Sequence, residues 1–171
     1  MVITLIGLMA AIIVPRMRVT ATTKTRHAAD QLVRDLELVR TRAMSTRAST
    51  RMVFTTGSRS YTGYQDWDRN GVFALSTAER DSLGGFRTRT LQDDVVYGRG
   101  ATPDIPAIPG SGSITFTGSA ITFDTRGLTT PFGTRGVIYL THPTDPAALA
   151  AVSVTAGGSI RRWVYRGGVW Q

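Results

Sequence analysis

Hydrophobic and polar positions follow three successive rhythms along this chain. From Met1 to Val14 the run is apolar and uncharged, broken only by Thr4 and Gly7. From Arg26 to Ser49, Ala28, Leu32, Leu36, Val39 and Ala43 recur at helical spacing, and Ala29, Val33 and Met44 widen the stripe. This predicts an amphipathic helix over 26–49 with one face for a core. Asp30 and Arg34 stand in the favourable i,i+4 orientation. Arg34, Arg40, Arg42 and Arg47 lie toward the C-terminal half, where the helix dipole favours cations. After Arg51 the period shortens. "RMVFTT" and "RSYTGYQD" flank a turn near Gly57-Ser58 and read as a hairpin. Residues 86–91, 94–97, 114–117, 121–124, 137–142, 147–155 and 160–165 are further strand candidates, punctuated by Gly, Pro, Asn or Asp. Residues 100–113 form a loop rich in Pro and Gly.

One helical pattern followed by many short strands predicts an α+β fold, with a long N-terminal helix packed on antiparallel sheets in a sandwich-like domain. Two segments follow: residues 1–25, an apolar helix and its exit, and residues 26–171, a globular domain. The apolar run is the puzzle. Fourteen helical residues span about 21 Å, against a hydrocarbon core of about 30 Å. A secretory signal would carry Lys or Arg before the run and small residues after it, whereas Val14-Pro15-Arg16 follows here. A buried helix and the latter part of a longer membrane helix both fit the length. In either case Leu5, Ile6, Leu8, Ile12, Ile13 and Val14 supply the apolar surface, and Pro15 removes a helical hydrogen bond and kinks the exit.

Composition narrows the chemistry. With no cysteine among 171 residues, disulfides, thiolate zinc sites and cysteine nucleophiles are excluded. Net charge is +8, carried by 19 Arg and the single Lys24. Arginine suits an anionic partner, although GC-rich coding also produces this bias. In "SIRRWVYRGGVW", Arg161, Arg162 and Arg166 mix with Trp163, Tyr165 and Trp170, a combination that neutralises phosphate and stacks on bases. Strand alternation predicts Ile160, Arg162 and Val164 on one face and Arg161, Trp163 and Tyr165 on the other. Arg126 and Arg135 join that surface if their strands pair nearby. The bland alternative is a charged edge strand guarded against aggregation. "DWDRNG" fits the first half of a calcium loop, with Asp66, Asp68 and Asn70 at alternate positions and Gly71 at the turn. Thr77 stands where the twelfth-position acid belongs, and Glu79 and Asp81 are out of register. His27 and His142 have no nucleophile or metal motif around them, so catalysis is not predicted.

A family resemblance joins these pieces. "GLMAAIIVP" resembles the end of the N-terminal helix of type IV pilins and type II secretion pseudopilins. In that register about seven further mature residues and a leader peptide are expected upstream of Met1. "LVRDLELVRTRAMSTRAS", "RMVF", "ITFDTRGLTTP" and "AAVSVTAGGSIRR", in that order, resemble the GspH/FimT minor pseudopilins. Arg40 to Ala43 loosely match a helical Ala-Arg-x-x-Ala run, and Phe123 to Gly127 match a Phe-x-x-x-Gly turn. Val152-Ser153 and Gly157 to Arg162 occupy the place of a late Val-Ser-x-x-Gly-Arg-x-Arg segment, whose Gly-Arg junction is broken here by Ser159-Ile160. The resemblance implies a non-enzymatic subunit, and no cofactor is expected beyond calcium at the Asp66, Asp68 and Asn70 loop. It implies a single-pass inner-membrane anchor with a methylated N-terminus, a periplasmic globular domain, and assembly with other pilins into a secretion pseudopilus or type IV pilus. It also implies an alternative, a DNA-binding minor pilin in natural transformation that uses the C-terminal arginines. A membrane-anchored secreted enzyme is the third reading, opposed by the missing acid–base cluster.

Overall fold

A computed structural model describes residues 20–171 except 75, 84, 85, 87 and 107. The expectations for Leu5 to Pro15, including the kink, lie outside the described residues. Among the described residues, no helix is long and apolar enough to cross a membrane.

Helix α1 runs Ala21–Thr46. It starts five residues before the predicted position 26 because Thr20 caps it: the Thr20 hydroxyl accepts the Thr23 N–H at 3.3 Å. Buried Thr25 then satisfies its own hydroxyl on the Ala21 carbonyl, so the threonine-rich entry is compatible with helix. The helix stops at Thr46 rather than Ser49, because Arg47 takes the left-handed conformation (φ 50°, ψ 38°). The predicted stripe is buried, and Thr25 and Asp35 join it. Met44 does not widen it: it is 39% exposed. Two local pairings also differ. Asp30 binds Arg162 rather than Arg34, whose guanidinium reaches Gln31 at 3.3 Å. The last turn holds no basic residue, and Arg40 instead donates to the Gly127 carbonyl. In both cases a specific tertiary partner outweighs a helix-surface effect worth only tenths of a kcal/mol.

Two antiparallel five-stranded sheets complete the α+β fold. The first contains β1 (Thr50–Thr55), β2 (Ser60–Gln65), β3 (Arg89–Thr90), β5 (Ala120–Phe123) and β6 (Thr129–Thr130), in the order β3-β2-β1-β5-β6. The second contains β4 (Val96–Tyr97), β7 (Gly136–His142), β8 (Asp145–Val154), β9 (Ile160–Arg166) and β10 (Val169–Trp170), in the order β10-β9-β8-β7-β4. The β1–β2 hairpin pairs Thr55 with Ser60 around the predicted turn. Residues 86–91 and 94–97 shrink to the two-residue strands β3 and β4. Residues 114–117 make only an Ile114–Ile138 bridge before a 3₁₀ turn at Thr117–Ser119. A short helix α2 (Thr77–Ser82), β6 and β10 were not anticipated, since pieces this short carry no periodicity.

The core is layered. Ile138 and Leu140 of β7, Ala150, Val152 and Val154 of β8, and Ile160 of β9 join Leu32, Leu36 and Val39 of α1, with Met52, Phe54 and Phe123 of the first sheet. The alternate residues of the second sheet build a smaller cluster on its far side. There Val137, Tyr139, Leu149 and Ala151 meet Ile105, Ile108, Trp163 and Trp170. The Pro- and Gly-rich loop is therefore a cover rather than a loose connection. Arg99 holds it by donating to the Thr102 carbonyl and pairing with Asp104 at 2.8 Å. Central β8 is buried on both faces, and Ala148, Ala150 and Ala151 in it leave room for close neighbours on both sides.

Candidate functional site

Three motifs far apart in sequence converge on the C-terminal half of α1. Arg40 Nε donates to the Gly127 carbonyl at 3.0 Å. Gly127 (φ 77°) closes the turn after β5 by donating to the Asp124 carbonyl at 2.9 Å. Gly158 (φ 76°), in the β8–β9 turn, packs directly on the Gly127 carbonyl and Arg40 Nε. A Cβ at Gly127 would lie 2.8 Å from Met44 Sδ, and one at Gly158 would collide with the Gly127 carbonyl. Both positions require glycine for conformation, and Gly158 requires it for space as well. The junction is architectural: it anchors two turns to one helix.

The opposite side of α1 is uncovered. His27, Arg34, Leu38, Thr41 and Ser45 form an exposed stripe at helical spacing. Leu38 is 42% exposed near its centre. On the covered side, Asp35 is buried at an apolar position of the repeat. Tyr61 donates to its Oδ2 at 2.6 Å, Gln31 donates to the same oxygen at 3.3 Å, and Arg89 pairs with Oδ1 at 3.1 Å. Burial, then the hydrogen bond and charge of Asp35, raise the Tyr61 phenol well above its ordinary range. The sequence signal for this node is an acid in register with Leu32 and Val39.

The five candidate arginines fall in three places. Alternation along β9 is as predicted: Arg162 faces α1, and Arg161 shares the far face with Trp163 and Tyr165. Arg161 stacks 4.1 Å above the Trp163 ring, whose Nε1 donates to Ser153 at 2.9 Å. Arg135 joins them, so Arg135, Arg161 and Trp163 line one groove of about 620 Å³, walled by Pro106 and Ile108. Arg162 and Arg166 instead line a smaller pocket of about 240 Å³ together with Arg26, Val164 and Gln171. Arg126 stays within its own turn. Its Nε and Nη2 donate to Asp124 Oδ2 at 2.9 and 2.8 Å. Burial works against ionisation of Asp124, but the Arg126 guanidinium and the N–H groups of Leu128 and Arg126 outweigh it and hold the carboxyl below its usual range. Sequence reasoning missed Arg26, which lies more than a hundred residues from its pocket neighbours.

In the acidic loop, Asp66 accepts the Asn70 N–H at 3.1 Å and the Gly71 N–H at 3.0 Å. Asn70 binds inward, donating to Asp68 at 2.7 Å and accepting the Val72 N–H at 2.6 Å. Glu79, out of register in the sequence, is brought by α2 beside Asp66 and Asp68, with ligand atoms of the three within 4.8 Å of one another. Buried His142 is held on both nitrogens: Nε2 donates to the Asp93 carbonyl at 3.0 Å, and Nδ1 accepts from the Thr144 hydroxyl at 2.8 Å. His27 is exposed on α1.

A family model described as type II transport protein GspH matches residues 28–158. The fold is similar to the type IV minor pilin FimU of Pseudomonas aeruginosa, with a TM-score of 0.53 at 13% identity, covering 86% of this chain and 92% of that one. It is also similar to the minor pseudopilin EpsH from the type 2 secretion system of Vibrio cholerae, with a TM-score of 0.51 at 11% identity, covering 82% and 97%. Comparison with curated protein sequences gave no match.

Proposed function

The chain belongs to the type II transport protein GspH family, and from that premise we propose that it is a minor pseudopilin or pilin subunit that assembles through its N-terminal helix. The observation that supports this reading is the two-sided use of α1. One side is the spine of the domain, and the other leaves Leu38 and its stripe open. The apolar run Met1–Val14 precedes this helix in the chain. In the membrane that run is covered by lipid, and in a filament by neighbouring helices. Desolvation favours both states, so a charge placed within it is costly in either. The family and both similar structures are named as transport, pilin or pseudopilin proteins, which supports a packing role over catalysis.

Because the chain has no cysteine, Leu38→Cys is a unique reporter. In filament-producing cells, Leu38→Cys is expected to form disulfide or bismaleimide links to neighbouring subunits carrying cysteines on their own helices. Phe132→Cys, 80% exposed on the loop after β6, is the comparison and is expected to link far less. A chain missing from sheared filaments, with no link through position 38, overturns the reading.

A second reading, a DNA-binding minor pilin, is favoured by the groove of Arg135, Arg161 and Trp163. Two cations, one of them stacked on an indole, suit a phosphate, and the Arg161 guanidinium plane offers a base a surface to stack on. Arg135→Ala/Arg161→Ala is expected to abolish binding to single-stranded DNA, or to reduce its log–log salt slope by about one to two units. Equal binding by parent and variant removes this reading and leaves subunit assembly untouched.

A further inference from the structure

We propose that the pocket formed by Arg26, Arg162 and Arg166 binds the phosphate of an anionic lipid headgroup while the subunit is held in the membrane. The proposal rests on the membrane-anchored reading above. Its first support is charge. Arg162 is neutralised by Asp30, with Nη1 at 2.6 and 2.8 Å from the two carboxylate oxygens. Among the described residues, Arg26 and Arg166 form no ion pair, so the pocket stays net positive. Arg26 Nε is buried and makes no hydrogen bond. The unpaired N–H shows that the chain leaves this guanidinium incompletely bonded; its terminal N–H groups, not the buried Nε, are the ones an anion in the pocket would meet.

The second support is position. Strand β9 runs antiparallel to α1. Gly158, before β9, lies against Arg40, Arg162 meets Asp30, and Arg166 shares the pocket with Arg26. The end of β9 is thus beside the first turns of α1. Arg26 is five residues into the helix, about 8 Å along its axis. Seven residue steps separate Val14, the last of the apolar run, from Ala21, a reach of at most about 25 Å. A tether this short lets the pocket reach the bilayer surface. Arg16, Arg18 and Lys24 add to the basic character of the same stretch of sequence. The Arg135–Arg161 groove is on the other face of β9 and does not share this position.

The test uses the full chain and two kinds of vesicle, phosphatidylcholine alone and phosphatidylcholine containing phosphatidylglycerol, with partition measured by flotation at low salt. Arg26→Gln/Arg166→Gln is compared with Arg135→Gln/Arg161→Gln, which removes the same charge elsewhere. An arginine near an anionic surface is worth about five-fold in partition, so the first pair is expected to lower the preference for anionic vesicles roughly 25-fold. The second pair is expected to leave it nearly unchanged. Equal loss in both variants makes the effect one of net charge and overturns the proposal. Unchanged preference in Arg26→Gln/Arg166→Gln, with partition onto phosphatidylcholine intact, overturns the pocket alone and leaves the membrane reading standing. No partition of any form onto phosphatidylcholine overturns the membrane reading and the proposal with it. Loss of DNA binding in Arg26→Gln/Arg166→Gln with vesicle preference retained assigns the pocket to nucleic acid and also overturns the proposal.

Discussion

Tyr61→Phe removes one oxygen atom from the core and tests the node that ties α1 to the first sheet. The Tyr61 ring is buried, and its hydroxyl donates to Asp35 Oδ2 at 2.6 Å, a short charge-assisted bond. After the substitution, Asp35 stays buried with only Gln31 and half-exposed Arg89 as side-chain partners. Loss of a hydrogen bond to a buried charge costs about 1.5–3 kcal/mol. In a domain of this size that is a fall in Tm of about 3–12 °C. The comparison is Tyr97→Phe, whose hydroxyl donates to the uncharged Ser60 carbonyl at 3.0 Å and is worth about 0.5–1.5 kcal/mol. Equilibrium urea unfolding measures both. The same node has a pH signature. Tyr61 has a raised phenol pKa in the folded chain, so its contribution is complete below the ordinary tyrosine value of about 10. It is lost as pH rises beyond that value, where the unfolded chain ionises first. Tyr61→Phe is therefore expected to flatten the alkaline fall in stability. A loss below about 0.5 kcal/mol, with no coupling to Asp35→Asn in a double-mutant cycle, would refute the reasoning.

Two further outcomes follow from the junction on α1. Gly158→Ala places a methyl group against the Gly127 carbonyl at a left-handed backbone position, so it is expected to destabilise by about 2 kcal/mol or more, whereas Gly57→Ala, with open space around it, is expected to change the urea midpoint little. Asp124 has a depressed pKa, so its stabilising contribution is present above the ordinary aspartate value of about 4 and is lost as pH falls through its folded value. Asp124→Asn is expected to be less stable than the parent at pH 7 and to show a shallower acid limb. Parallel acid limbs in the two proteins would show that the Arg126 turn contributes nothing.

Much of this protein is legible in one dimension because the relevant physics is local. The repeat of Leu32, Leu36, Val39 and Ala43 determines which face of α1 is buried, since helix geometry alone brings those residues together. Strand alternation likewise placed Arg161 with Trp163 and Arg162 on the opposite face of β9. The order of the motifs along the chain was enough to indicate the family.

What remained was settled by contacts between distant segments. Asp30 left its helical neighbour Arg34 for Arg162, 132 residues away, because β9 brings one Arg162 nitrogen within 2.6 and 2.8 Å of both carboxylate oxygens. Arg40, Gly127 and Gly158 were three separate weak motifs until packing made them one junction. Alternation separates Arg161 from Arg162, but only packing decides what each one joins: Arg135 shares a groove with Arg161, Arg166 a pocket with Arg162, and Arg126 stays in a closed turn. Periodicity states which way a side chain points. Only the tertiary arrangement decides what stands opposite it, and charge pairing, unlike apolar burial, depends on that single opposing group.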